Sequence, residues 1–219
     1  LPEVPARNPD GSFGMQTENM YGTYFSNPLS DLIQNENYSR STQVYVNAFA
    51  DIKLWKGLVF RTEYAANYNY NTGYRFTPSY DYEFFKQQSS ASRSAGNGSN
   101  WTLKTYLTYN GTFGKHNVSV MAGHEAQENN WESLDGSRTN FLFNSVHELN
   151  AGDATTAKAN SSRGSSAIES YFGRLNYNFA DRYLLTATLR ADGSSSFAKE
   201  SRWGWFPSVA LAWKVNNEA

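Results

Sequence analysis

From Ser170 to Trp213 apolar and polar side chains alternate with a period of two, and three arms repeat the pattern. In the first arm Tyr171, Gly173, Leu175, Tyr177 and Phe179 share one face, and Ser170, Phe172, Arg174, Asn176 and Asn178 share the other. In the second, Tyr183, Leu185, Ala187, Leu189 and Ala191 oppose Arg182, Thr186, Thr188, Arg190 and Asp192, with Leu184 the one apolar residue on the polar side. The third runs from Pro207 to Val215 and aligns Val209, Leu211, Trp213 and Val215. Successive side chains of a strand point to opposite faces, so each arm is a two-faced strand. Ala180, Asp181 and Arg182 form a hairpin-length connection between the first two arms. Pairing Phe179 with Tyr183 then places Tyr177 beside Leu185 and Leu175 beside Ala187.

Strand length separates a soluble sheet from a membrane barrel. A tilted strand needs about 9–11 residues to cross a bilayer, whereas soluble strands commonly have about 5–6. These arms reach the longer figure and carry aromatic residues near both ends of their apolar faces. That pattern predicts an all-β protein, an antiparallel transmembrane β-barrel segment.

The same alternation recurs upstream. Thr42, Val44, Val46, Ala48, Ala50 and Ile52 oppose Gln43, Tyr45, Asn47, Phe49, Asp51 and Lys53. After Trp55-Lys56-Gly57, whose glycine suits the left-handed position of a tight turn, Leu58, Phe60, Thr62, Tyr64, Ala66, Tyr68 and Tyr70 oppose Val59, Arg61, Glu63, Asn67 and Asn69. Pairing Leu54 with Leu58 puts both apolar sets on one face. A further pair follows: Trp101, Leu103, Thr105, Leu107, Tyr109 and Phe113, then, past a turn at Gly114–Asn117, Val118, Val120, Ala122 and Ala126. Residues 72–100, with QQSSASRSAGNGSN, and residues 128–165 read as long polar loops. Residues 1–39, punctuated by Pro2, Pro5, Pro9 and Asn27-Pro28, read as an extracellular loop region ahead of a partial barrel at 40–219.

Short connections at 55–57, 114–117 and 180–182 therefore alternate with long ones at 72–100, 128–165 and 193–202. Outer-membrane barrels have short periplasmic turns and longer extracellular loops, so the chain is expected to enter from outside near residue 40 and leave toward the periplasm near Asn216. Seven strands with two bare edges predict a section of a larger barrel.

Composition agrees once the alternation is allowed for. The 219 residues include 15 Tyr, 14 Phe and 6 Trp. A mean hydropathy of -0.65 looks soluble, but interleaved polar residues conceal a barrel wall from that average. A net charge of -1 without a basic stripe argues against nucleic-acid binding, and the absence of cysteine excludes a disulfide framework. The start, LPEVPARNPDGSFG, lacks the layout of a secretion signal; an outer-membrane protein carries one, so the chain is expected to begin downstream of it.

SYFGRLNYNFADRYLLTATLRADGSSSFA followed by RWGWFPSVALAWKV resembles the barrel wall of the SusC/RagA family of TonB-dependent outer-membrane transporters. KLWKGLVFRTEY and LTYNGTFGKHNVSVMAGHEAQE resemble other hairpins of that family in the same order. The resemblance covers roughly residues 40–217. It implies a large plugged barrel of the 22-stranded type, located in the bacterial outer membrane of Bacteroides-like organisms and importing an oligosaccharide or peptide. It also implies a SusD-like surface lipoprotein partner, and coupling to the TonB complex through an N-terminal part not contained in this chain.

Under that reading Arg61, Glu63, Asn67, Lys104, Arg174, Asn176, Arg190 and Asp192 face a hydrated lumen. Trp55, Trp101, Trp203, Trp205 and Trp213 serve as membrane-interface anchors, since an indole has an apolar body and one N–H for the headgroup region. Trp131, beside Asn129, Asn130 and Glu132 in a long loop, is the aromatic candidate for ligand contact. No catalytic group, metal or cofactor is expected. His116, His124 and His147 lack ligand spacing, His124 reads as a wall residue near the outer rim, and Asp192–Ser196 lacks the alternating acids of a calcium loop. Glu125, Glu128, Glu132 and Asp135 cluster, but glycosidase chemistry needs two carboxylates facing each other across a sugar. Asn-x-Ser/Thr triplets, as at Asn97 and Asn117, carry no weight in a bacterial chain. The rivals are a soluble β-sandwich lectin or adhesin, whose apolar faces would meet each other, and a passive porin.

Overall fold

The computed structural model describes residues 5–14, 27–82 and 85–218; the turn read at Pro2 lies outside them. Nine strands are present among these residues: β1 (Glu36–Trp55), β2 (Leu58–Thr77), β3 (Tyr80–Tyr82), β4 (Phe85–Gln87), β5 (Ser90–Phe113), β6 (His116–Thr139), β7 (Lys158–Phe179), β8 (Tyr183–Ser194) and β9 (Trp203–Trp213). Seven form one sheet in the order β1-β2-β5-β6-β7-β8-β9, and β3 pairs with β4 in a separate antiparallel hairpin. Sheet order follows chain order, as hairpin connections require.

The expected register of the central hairpin is found residue for residue. Phe179 faces Tyr183, Tyr177 faces Leu185 and Leu175 faces Ala187. β9 continues the ladder, with Trp213 opposite Tyr183, Leu211 opposite Leu185 and Val209 opposite Ala187. At the turn Ala180 (φ 56) and Asp181 (φ 53) are both left-handed, and the Arg182 N–H donates to the Phe179 carbonyl at 2.9 Å. A left-handed alanine costs about 1–2 kcal/mol. Ala180→Gly is therefore expected to raise stability by about 0.5–1 kcal/mol, net of the extra freedom glycine gains when unfolded, as read by urea unfolding of the full barrel.

The other short turns hold with a correction. Gly57 is left-handed (φ 80), and the 3.2 Å ion pair of Asp51 with Arg61 fits the pairing of Leu54 with Leu58. The turn read at Gly114–Asn117 is shorter: β6 begins at His116, leaving only Gly114 (φ 58) and Lys115.

The long polar segments differ more. β2 runs to Thr77 and β5 starts at Ser90, so most of the expected 72–100 loop is strand. β6 and β7 likewise shorten the expected 128–165 loop to residues 140–157. β5 and β6 are 24 residues each, whereas about 9–11 suffice for the hydrocarbon layer. Past that layer both faces of a strand can meet water. Ladder hydrogen bonds then persist without any apolar alternation to mark them. The N-terminal stretch is also more structured than a loop. Asn27 caps helix α1 (Pro28–Gln34) by accepting from the Leu29 and Ser30 N–H groups, and β1 begins at Glu36 rather than Thr42.

The chain groups into two compact units. One comprises Leu1–Thr42, Tyr70–Asn97 and Glu132–Arg163; the other Gln43–Asn69, Gly98–Trp131 and Gly164–Ala219. The first has a small core of Tyr74, Phe76, Ala91 and Phe141, against which Leu149 and Ala151 pack. Phe76 meets Phe141 edge-on at 5.4 Å and stacks on His147 at 4.0 Å. Arg93 lies over Tyr74 and pairs with Glu148. The second unit contains the three short turns and the candidate site.

Candidate functional site

In the second unit the two sheet faces differ sharply in chemistry. On one face an ionic chain crosses the strands. Arg61 Nε donates to Glu63 at 2.6 Å, its Nη1 reaches Asp51 at 3.2 Å, and the Tyr106 hydroxyl donates to Glu63 at 3.2 Å. Lys104 meets Glu125 at 2.9 Å, and Arg190 meets the other oxygen of Glu125 at 3.3 Å. Arg190 also donates to Asp192 at 2.7 Å and to Ser170 Oγ at 2.9 Å, with its guanidinium over Phe172. Glu125 is the best-buried charged group here, its side chain only 16% exposed. The residues enclose a hollow of about 390 Å³ lined by Glu63, Lys104, Tyr106, Glu125, Arg174 and Arg190.

Most expected lumen residues therefore come together. Arg61, Glu63, Lys104, Arg174, Arg190 and Asp192 belong to this group. Asn176 sits at a second hollow and accepts from Thr186 Oγ1 at 3.0 Å. Asn67 is buried, and its Oδ1 has no hydrogen-bond partner among the described residues.

Glu125, which joins the two cations, was noted above only as one of four clustered acids. Its role is nevertheless legible: counting equally outward from Gly114–Lys115 along both strands sets Glu125 opposite Lys104. The other acids of that group lie on β6 as well, and strand alternation puts Glu128 and Glu132 on the face opposite Glu125. Glu128 accepts from Trp101 Nε1 at 3.2 Å and Glu132 from Asn97. Trp131 also belongs to β6, not to a loop, and lies across Gly164 of β7.

The opposite face is apolar and bounded by aromatics. Near the short turns Phe179, Tyr183 and Trp213 stack in sequence, each pair of centroids 6.4 Å apart, and His116 packs on Phe179 at 4.8 Å. Toward the other end Trp203 and His124 flank Tyr171 at 5.9 and 4.9 Å, and His124 Nε2 lies 3.1 Å from Glu169. Trp203 and Trp213 terminate the 11-residue β9. At about 3.3 Å per residue and the tilt usual in barrels, this spacing matches an apolar band about 25 Å tall. Trp55 ends β1, whereas Trp101 lies mid-strand, where the apolar alternation of β5 gives out.

At the short-turn end Glu218 accepts from the Tyr183 hydroxyl (2.7 Å), Trp213 Nε1 (3.1 Å) and Arg182 (2.9 Å). Asp181 binds Lys214 at 2.6 Å. The Tyr183 hydrogen bond lowers the Glu218 pKa, and the Lys214 hydrogen bond lowers that of Asp181. A depressed folded-state pKa contributes stability that is present above the ordinary carboxylate range, near about 4, and lost as pH falls through the lowered value. Protection of the Arg182 and Lys214 amides, relative to their intrinsic exchange at the same pH, should therefore fall only below about pH 4. Glu218→Gln should show much of that loosening at neutral pH. Equal exchange in the variant and the parent chain would contradict this role.

A family model for "TonB dependent receptor-like, beta-barrel" matches residues 4–219. This chain belongs to the TonB-dependent receptor β-barrel family. Among curated relatives, TonB-dependent receptor P3 of Formosa agariphila is 30% identical over 99% of this chain and 22% of its own length. TonB-dependent receptor SusC of Bacteroides thetaiotaomicron is 36% identical over 54% of this chain and 12% of its own. Among solved structures, that of the RagAB peptide transporter superposes with a TM-score of 0.84 at 21% identity, covering 95% of this chain and 24% of that one. The chain thus spans about a fifth of the length of such relatives. As a TonB-dependent receptor β-barrel chain it is an outer-membrane protein, and its seven-stranded sheet is barrel wall. No helix among the described residues is long and apolar enough to cross a membrane; this receptor crosses with strands.

Proposed function

We propose that the whole receptor imports a nutrient, an oligosaccharide in preference to a peptide, through TonB coupling and with a SusD-like surface lipoprotein as partner. Residues 40–219 then form part of the barrel wall behind an N-terminal extracellular region. Arg61, Glu63, Asn67, Lys104, Arg174, Asn176, Arg190 and Asp192 line its interior, and Trp101, Trp203, Trp205 and Trp213 anchor it at the lipid boundaries; Trp55, on the Asp51 face of β1 by strand alternation, lies on the interior side. The observation that carries the reading is the contrast of faces: interlocked ions on one, and an apolar band closed by aromatic rings on the other. In lipid such ions are tolerated on an interior face and costly on the outer one.

The relatives leave the cargo open, since one is named SusC and another is titled a peptide transporter. A soluble sandwich would need a second sheet against the apolar face, and the family assignment replaces that reading.

The test is uptake. A strain lacking the gene is expected to lose growth on an oligosaccharide that the parent strain uses, and loss of TonB is expected to have the same effect. Uptake that survives without TonB would establish a passive pore. Loss confined to peptides would move the cargo to the peptide class.

A further inference from the structure

We infer that the charged face carries, farther along the same strands, a neutral saccharide-binding row built on Trp131, Asn67 and Asn69. This rests on the importer reading and specifies where its cargo is held. The strand pairing that brings Lys104 to Glu125, continued away from the Gly114–Lys115 turn, sets Gly98 opposite Trp131. A methyl group on Gly98 would lie 2.7 Å from Asn69 Oδ1, and one on Gly164 would lie 2.8 Å from Cε2, Cζ2 and Nε1 of Trp131. One row therefore crosses four strands: Asn69 on β2, Gly98 on β5, Trp131 on β6 and Gly164 on β7.

Neither β5 nor β7 raises a side chain in this row. The indole rests across the Gly164 backbone and keeps 47% of its surface exposed. One step toward the ion pairs stands Asn67, only 8% exposed, with Oδ1 lacking any hydrogen-bond partner among the described residues. A buried amide oxygen without a donor is costly, and such groups usually have a partner. Here a ligand hydroxyl would supply it.

The chemistry selects the ligand class. A pyranose presents an apolar C–H face, which an indole can cover, and a rim of hydroxyls that both donate and accept. An asparagine amide does the same. The row contains no charged side chain, so it has nothing to match the termini or ionic groups of a peptide. An aromatic platform with a few placed polar groups is the usual composition of a small-ligand site.

The test uses the full-length receptor in detergent. Its probes are an array of neutral oligosaccharides, built from hexose, pentose and N-acetylhexosamine units, and a mixed peptide library. The parent protein is expected to bind at least one oligosaccharide. Trp131→Ala should weaken that binding by about tenfold, the scale of a single strong contact. Asn67→Leu should weaken it severalfold, and Trp131→Phe should retain most of it. Gly164→Ala, which pushes a methyl into the indole, should weaken it with the barrel intact by heat-shifted gel mobility. That variant and Asn67→Leu decide the matter if Trp131→Ala does not fold. Oligosaccharide binding unchanged in Gly164→Ala and Asn67→Leu would overturn the site while leaving the importer reading in place. A parent protein that binds only peptides, or nothing on the array, would overturn the saccharide assignment. TonB-dependent uptake, measured separately, reports on the importer reading alone.

Discussion

Leu189→Arg is expected to destabilise the receptor barrel by about 2–4 kcal/mol, the cost of a guanidinium at the bilayer midplane. Leu189 lies about midway between the aromatic belt at Tyr183 and Trp213 and the one at Trp203, and its neighbour on β9 is Pro207. Leu185→Arg should cost less, because Leu185 is close to the Tyr183 belt and a long side chain there can reach the interface. Thr186→Arg, on the face with Asn176, should be nearly neutral. Urea unfolding in lipid vesicles measures all three. Equal effects at Leu189 and Thr186, or the reverse order, would sink the assignment of faces.

The second large effect is expected at Glu125. Glu125→Gln leaves Lys104 and Arg190 without the carboxylate that now lies 2.9 and 3.3 Å from them. Removing one partner of a buried ion pair costs about 3–5 kcal/mol. Both cations are more than a third exposed, so screening by water reduces the expected loss to about 1–2 kcal/mol. A second substitution should separate ionic from packing effects: Lys104→Met with Glu125→Leu should recover part of the loss, since no charge is then stranded on that pair. A double variant as unstable as the sum of the single ones would mean that Glu125 acts through shape alone.

What could be read from the sequence follows the solvent. Where lipid lies on one side and water on the other, alternation is enforced residue by residue. The Phe179–Tyr183 register, the Leu54–Leu58 pairing and the two faces were therefore legible. At Ser90–Asn100 and Lys158–Ser166 small polar residues fill both faces, so nothing in the pattern separates strand from loop. Along 128–139 the apolar and polar residues lose their alternation, so Trp131, Glu128, Glu132 and Asp135 fell within the expected loop. The site residues were legible as a face but not as partners, because a partner depends on the neighbouring strand's register. That register could be counted from Gly114–Lys115, the step that reveals Glu125. Helix α1 did announce itself, through Asn27 as cap and Pro28 at its first turn, but the same residues also signal a loop.

The tight turn at Gly114–Lys115 bears on how quickly this wall is made. β5 and β6 are the longest strands, and they meet at a two-residue connection, as short as any in the sheet. Every contact between them is available by zipping outward from one nucleus, with loop-closure entropy met only once. β2 and β5, neighbours in the sheet, are separated by a longer detour through β3 and β4 and must find each other across it. Assembly should then proceed by preformed hairpins, each added as a unit. A residue that resists positive φ at Gly114 would slow insertion, and the same turn strain would cost the finished barrel about 1–2 kcal/mol.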